Sequence, residues 1–254
     1  MSPIESMIVL LLAGVGLAFA NTLASAGSAL SLPVLLAVGL GPELANGTNR
    51  VAVLAGAVAA MVTFVRAGKI QWPIVRPLMM VAAVGAVAGA ALSEIVSPSQ
   101  LHLAIVGALL VALALLAIKP AHWLTTAQDS RPHVGPMQMV LIFAVSVWAG
   151  FIVLDGMTYL LFALVLSVGF DVVSANAAKT AIAVVIASVS LVVLAIGGNV
   201  DWAAATPLSL GAVFGGLVAA RLALNPAVAR WIYRLLVLII VGEVGQLALA
   251  GMRM

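Results

Sequence analysis

The chain has 254 residues, of which 65% are hydrophobic and only 7% are charged. Soluble domains carry about 25% charged residues, so this chain cannot cover a surface that faces water and must lie in a lipid bilayer. The net charge of +3 comes from scattered basic residues without interleaved aromatic residues, which argues against a nucleic-acid partner. Because the chain contains no cysteine, disulfides, thiolate metal sites and cysteine nucleophiles are excluded.

Long apolar runs predict an all-α integral membrane protein. They cover residues 7–40, 44–65, 74–96 and 101–118, and then 137–170, 172–197, 203–222 and 231–250. Most runs fit one helical span of about 20 residues, but the first run of each series is too long for one span and short for two. Both long runs are interrupted, at 21–28 and at 154–156, which predicts two broken helical hairpins that either cross twice or re-enter. The total is eight spans plus re-entrant turns, or ten membrane helices if both hairpins cross.

A constant shift of 130 residues relates the two halves of the sequence. The shift pairs identical residues of several types: Gly39 with Gly169, Asn46 with Asn176, Gly68 with Gly198, Trp72 with Trp202, and Pro77 with Pro207. A chance match between glycine-rich segments would not readily include Trp, Pro and Asn. We therefore predict a first transmembrane repeat at 1–118, a cytoplasmic linker at 119–136 and a second transmembrane repeat at 137–254.

The basic residues predict that the two repeats are inverted. Arg66, Lys69 and Arg76 surround the loop at Gly68 and place it in the cytoplasm, whereas the equivalent loop in the second half carries only Asp201. Equivalent loops then lie on opposite sides of the membrane, and both termini are predicted outside. Many secondary transporters use this symmetry for alternating access.

Amides and one cation follow each broken hairpin. Asn46, Asn49 and Arg50 share one helix face, and the second half has Asn176 and Lys179 on one face. One interpretation is that the two cations extend to lipid head groups. The interpretation that we favour is an anion site, in which amides and hydroxyls donate hydrogen bonds and the cations supply charge. Its predicted residues here are Asn46, Thr48, Asn49, Arg50, Asn176 and Lys179.

The tips of the hairpins are predicted to contribute to the same site. Ser25, Gly27 and Ser28 lie in the first tip, and Asp155 and Gly156 lie in the second. Glycine allows the backbone to approach a ligand closely, and the helix that follows each tip directs unpaired N–H groups toward an anion. The alternative, which is stronger for any single residue, is that these glycines and serines are small residues that pack between membrane helices.

Two carboxylates are candidates for proton coupling. Glu243 lies inside the last apolar run, and Asp155 lies at the second hairpin tip. A carboxylate within the membrane indicates function by default. Glu243 could instead form an ion pair with Arg50 or Lys179, or a structural contact between helices or between subunits. The last alternative is compatible with a homodimer. The sequence contains no hydrolase or phosphate-binding motif and no metal-ligand spacing, so we expect no enzyme activity, cofactor or metal.

Several segments resemble the sulfite exporter TauE/SafE family. The similar residues are 32–35, 39–49, 68–72, Gly85, Gly89, 207–208, 211–216 and 221–222. The resemblance covers nearly the whole chain and implies a secondary transporter of the prokaryotic cytoplasmic membrane that exports sulfite, sulfoacetate or a related organosulfur anion. This chain departs from the family at both hairpin tips, where other members usually have richer glycine runs.

Three functional hypotheses follow. The leading hypothesis is a secondary exporter of a small sulfur-containing or carboxylate anion. The second is an anion channel or an importer with the same fold. The third is a membrane subunit without transport activity, or an intramembrane enzyme. The partners expected under the leading hypothesis are the small anion and the lipid bilayer, with no nucleic acid.

Overall fold

The computed structural model describes residues 2–93, 95–96, 132–152, 156–225 and 228. Across these residues the regular secondary structure is entirely helical. The helices are α1 (Pro3–Ala24), α2 (Ser28–Ala37), α3 (Pro42–Arg66), α4 (Trp72–Ser93), α5 (Pro136–Phe151), α6 (Gly156–Phe162, which continues as a π-helical turn, Ala163–Val168), α7 (Val172–Ile196) and α8 (Trp202–Ala223). Glu243, Asp155 and most of the predicted linker lie outside the described residues.

Capping side chains determine where several of these helices begin. At the start of α1, the Ser2 hydroxyl accepts the backbone N–H of Glu5, and the Glu5 carboxylate accepts the N–H of Ser2. At the start of α7, the Asp171 carboxylate accepts the N–H groups of Val173 and Ser174. These bonds satisfy N–H groups that have no partner within the helix.

Five of the described helices are long and apolar enough to cross a membrane: α1, α3, α4, α7 and α8. They contain 22 or 25 residues each, which corresponds to about 33–38 Å at 1.5 Å per residue. The hydrocarbon core of a bilayer is about 30 Å thick. The all-helical prediction is therefore confirmed for the described residues, which contain five candidate membrane spans.

Helix boundaries in the two halves coincide at the shift that the sequence shows. Helix α7 begins and ends 130 residues after α3, and α8 begins and ends 130 residues after α4. The turn glycines also correspond, because Gly39 and Gly169 have φ values of 100° and 87°, and Gly68 and Gly198 have values of 64° and 76°. Glycine is favoured at these positions because a Cβ atom disfavours positive φ.

Close contacts between helices define their relative directions. A Cβ atom on Gly211 would lie 1.9 Å from the carbonyl oxygen of Leu11, and one on Gly215 would lie 2.3 Å from that of Val15. Four residues along α8 therefore correspond to four residues along α1, so these helices run parallel. Helices α4 and α5 are parallel by the same test, because a Cβ on Gly85 would approach the carbonyl oxygen of Phe143 and one on Gly89 would approach that of Val147.

Helix α3 runs in the same direction as α8. Its start approaches the loop before α8, since a Cβ on Gly47 would lie 1.8 Å from the carbonyl oxygen of Asn199. Farther along, a Cβ on Gly56 would lie 3.1 Å from the carbonyl oxygen of Ala212. Helices α1, α3 and α8 therefore all begin on one side of the molecule.

The first hairpin, formed by α1 and α2, returns to the side where it starts. A Cβ on Gly27 would lie 1.9 Å from the carbonyl oxygen of Leu17, and one on Gly16 would lie 3.7 Å from the Leu30 side chain. Helix α2 thus folds back along α1, and the next helix, α3, begins on the same side as α1.

Candidate functional site

Lys179, in the second turn of α7, binds the tip of the first hairpin. Its ammonium group donates to the carbonyl oxygens of Asn21 (2.9 Å) and Thr22 (3.3 Å) and to the hydroxyl of Ser25 (2.9 Å). The side chain is only 2% exposed. The carbonyl groups at the C-terminal end of a helix lack intrahelical partners and carry partial negative charge. Lys179 therefore caps the end of α1 from the opposite half of the chain.

Ser25 has an unusual backbone conformation at this tip. Its φ of 62° is the only positive value of a non-glycine residue among the described residues, and its N–H donates to the carbonyl oxygen of Asn21. The hydroxyl of Thr158, from α6, donates to the Ser25 carbonyl oxygen over 3.4 Å. Such a conformation persists only where surrounding contacts hold it. Here the contacts come from Lys179 and Thr158, both in the second half.

Arg50 forms the corresponding contact with the second hairpin. Its guanidinium group donates through Nη1 to the carbonyl oxygen of Ala149 and through Nη2 to that of Gly150, at 3.0 Å for the second bond. These carbonyl groups belong to the last turn of α5, and Arg50 is 2% exposed. The burial of Arg50 and Lys179 contradicts the alternative that their side chains extend to lipid head groups.

The two cations are not strictly equivalent in the repeat. The shift of 130 residues pairs Lys179 with Asn49, and it pairs Arg50 with Thr180. Asn49 contacts its own half of the chain, because its Oδ1 accepts from the Ser31 hydroxyl at 2.6 Å and its Nδ2 donates to the Ser28 hydroxyl at 3.1 Å. The position equivalent to Lys179 in the first half is therefore Asn49, and the cation that contacts the opposite half is the next residue, Arg50.

Two adjoining cavities lie between α3 and α7. One has a volume of about 10 Å³, room for about one water molecule, and is lined by residues that include Ala57, Lys179 and Thr180. The other also has a volume of about 10 Å³ and is lined by residues that include Arg50 and Ile186. Both are also lined by Asn21, Val53, Met157 and Ala183.

The cavity linings show that α3 and α7 are antiparallel. The later residue Ala57 faces Lys179, whereas the earlier residue Arg50 faces Ile186. Ile186 follows Lys179 by seven residues, which is about 10 Å of helix. The two cations therefore sit about 10 Å apart along the helix axes, on either side of the shared lining residues.

Several buried polar atoms near these helix starts lack partners. Within the described residues, these include Nε of Arg50 and both side-chain amide atoms of Asn176, which is 1% exposed. A buried polar group without a hydrogen bond costs about 1–3 kcal/mol. Groups of this kind are candidates to bind a ligand or an ordered water.

The structure places the other predicted site residues as follows. Thr48 accepts the backbone N–H of Asp201 at 2.9 Å, so its hydroxyl joins α3 to the start of α8. Asn46 is half-buried in the first turns of α3. Gly27 and Gly156 both occupy close helix contacts, where a Cβ would lie 1.9 Å from Leu17 and 2.5 Å from Ala149. The described residues contain no group of three or more His, Asp or Glu side chains that could hold a metal.

The main contacts of the site were not predicted from the sequence. The acceptors for both cations are chiefly backbone carbonyl groups, at residues 21–22 and 149–150, and carbonyl groups have no signature in a sequence. The sequence did indicate where these acceptor carbonyl groups lie, because each interruption of a hairpin marks a helix end with unpaired carbonyl groups.

Comparison with known proteins relates the chain to membrane transporters. The chain is similar to "Probable membrane transporter protein YfcA" of Escherichia coli K12, with 24% identity over 207 residues, which cover 82% of this chain and 77% of the relative. It is also similar to "Probable membrane transporter protein ORF9" of a Sinorhizobium species, with 34% identity over 103 residues, or 40% of this chain and 39% of the relative. No solved structure matches significantly. The family described as "Sulfite exporter TauE/SafE" matches residues 10–244, and the chain therefore belongs to this family of membrane transporters.

Proposed function

We propose that this protein is a secondary transporter that exports a small sulfur-containing anion, such as sulfite, sulfoacetate or a related organosulfonate, across the cytoplasmic membrane. The observation that carries the proposal is the pair of buried cations, Arg50 and Lys179, on antiparallel helices. Within the described residues their hydrogen-bond partners are all uncharged.

The energetics of buried charge favour an anionic substrate. An Arg or Lys at the centre of a membrane helix costs about 2.5–3.5 kcal/mol on insertion scales. Helix-end carbonyl groups offset part of this cost, but they leave a positive region beside the two cavities. An anion that enters this region neutralises charge that the described residues leave uncompensated.

The proposed mechanism is alternating access between two inverted repeats. It is supported by the antiparallel directions of α3 and α7, which occupy equivalent positions in the two halves. It is also supported by two parallel helix pairs, α1 with α8 and α5 with α4. These pairs are equivalent, because the repeat relates α1 to α5 and α8 to α4. In this proposal the first hairpin re-enters from the outside, the second re-enters from the cytoplasm, and both termini lie outside.

Flux into proteoliposomes tests the proposed function. Purified protein should transport radiolabelled sulfite or sulfoacetate, and a proton gradient should change the rate if Glu243 or Asp155 carries a coupling proton. The double variant Arg50→Gln with Lys179→Gln serves as the control, because it removes both buried charges. Absence of flux for every small anion, in protein that is folded and inserted, would reject the proposal.

A further inference from the structure

The two cations differ in how many of their hydrogen-bond donors remain available. A lysine ammonium has three donors, and Lys179 uses them on Asn21, Thr22 and Ser25. An arginine guanidinium has five N–H groups, and the Nε–H of Arg50 has no acceptor among the described residues. Only Arg50 therefore retains a donor for a ligand without first losing a contact to the protein.

Ser28 supplies a second available donor in the same cavity. It is 5% exposed, and together with Arg50 it lines the second of the two cavities between α3 and α7. Its oxygen accepts from Nδ2 of Asn49, and its own O–H has no acceptor among the described residues. A hydroxyl that already accepts one bond can still donate another.

The position of Ser28 depends on the turn that Lys179 holds. Ser28 is the first residue of α2 and follows Ser25 by three residues. Lys179 binds both the end of α1 and the Ser25 side chain, so its ammonium group fixes the direction in which the chain enters α2. Loss of that contact would release the left-handed turn at Ser25 and displace Ser28.

We propose that Arg50 and Ser28 contact the substrate directly, through Nε–H and Oγ–H, and that Lys179 is a positioning residue that does not touch it. This inference rests on the transport function proposed above and adds a division of roles between the two cations. The ligand class that fits these two donors is a small oxyanion, a sulfite, sulfonate or carboxylate, that accepts both bonds through separate oxygen atoms.

Titration calorimetry with sodium sulfite and sodium sulfoacetate on the purified full-length protein tests these roles. Arg50→Lys keeps the charge but removes Nε–H, and it should weaken binding by about tenfold to a hundredfold. Ser28→Ala should weaken binding by about tenfold. Ser31→Ala is the matched control, because Ser31 bonds to the same Asn49 but does not line the cavity, and its dissociation constant should equal that of the wild type.

The role of Lys179 is measured by combining variants. If Lys179 acts through Ser28, adding Ser28→Ala to Lys179→Gln should produce no further weakening of binding. Ser25→Ala provides a milder variant with the same expected pattern, in case Lys179→Gln does not fold. In the Arg50→Lys background, by contrast, Ser28→Ala should still weaken binding by about tenfold.

The outcomes separate this inference from the proposed function. Wild-type binding that is unchanged in Arg50→Lys and Ser28→Ala would overturn the inference and leave anion transport standing. Independent, multiplicative losses for Ser28→Ala with both Lys179→Gln and Ser25→Ala would show that Lys179 does not act through Ser28, and would also overturn it. A wild-type protein that neither binds nor transports these anions would reject both proposals.

Discussion

Replacing Gly47 by alanine should destabilise the contact between the two halves of the protein. A Cβ at this position would lie 1.8 Å from the carbonyl oxygen of Asn199 and 2.8 Å from its carbonyl carbon, and these backbone atoms cannot turn aside as the end of a side chain could. Overpacking of this kind costs about 1–3 kcal/mol. A displaced α3 would also lose the bond from the Asp201 N–H to Thr48, which is worth about 1 kcal/mol.

The higher helix propensity of alanine offsets about 1 kcal/mol of this loss. The net destabilisation should therefore be about 1–3 kcal/mol, which lowers the melting temperature by about 2–4 °C per kcal/mol for a chain of this size. Thermal unfolding in detergent, followed by the fluorescence of the five tryptophans, provides the measurement.

Gly41→Ala is the control for this prediction. Gly41 precedes the same helix and has an ordinary φ of −66°, and a Cβ atom added to it would have no heavy atom within 4 Å. Its melting temperature should stay within about 2 °C of the wild type. If Gly47→Ala unfolded at the wild-type temperature, the start of α3 would not approach the loop before α8, and the helix directions derived from that contact would be wrong.

Two further predictions concern the first hairpin. Ser25→Gly should be more stable than Ser25→Ala in the same thermal assay. Both variants lose the hydroxyl that binds Lys179, but only glycine relieves the strain of the positive φ, which costs about 1–3 kcal/mol. Equal stabilities of the two variants would show that the turn is not strained. Asn49→Ala should lower the free energy of unfolding by about 1–3 kcal/mol, because it removes the buried partner of both Ser28 and Ser31. Asn49→Asp keeps the acceptor for Ser31 but loses the donor to Ser28. If both variants changed the free energy of unfolding by no more than a surface substitution does, the hydrogen bonds of Asn49 with Ser28 and Ser31 would be contradicted.

The sequence predicts the long helices closely, because charged residues or glycines lie at most ends of their apolar runs. The runs at 44–65, 172–197 and 203–222 differ from α3, α7 and α8 by no more than two residues at either end. The constant shift of 130 residues likewise reappears in the helix boundaries and in the left-handed glycines. Periodic and compositional patterns of this kind are local, so they can be recognised in the sequence without knowledge of tertiary contacts.

The path of the first hairpin could not be predicted from the sequence. The apolar residues of α2 would suit a helix that crosses the membrane as well as one that returns. The decision comes from tertiary contacts, namely the approach of Gly27 to Leu17 and of Leu30 to Gly16. The sequence also suggested that the cations serve equivalent roles, whereas their different donor geometries give Arg50 a spare N–H group and Lys179 none among the described contacts.

The opposite orientation of the two halves is the central claim of the proposed mechanism, in which Arg50 and Lys179 approach the centre from opposite sides of the membrane. The natural chain has no cysteine, so single cysteines at Gln71 and Asn199 can be labelled without other changes. With an impermeant maleimide on intact cells, Asn199→Cys should be labelled, and Gln71→Cys should be labelled only after the membrane is permeabilised. Equal labelling of both positions on intact cells would place the equivalent loops on the same side and contradict the account.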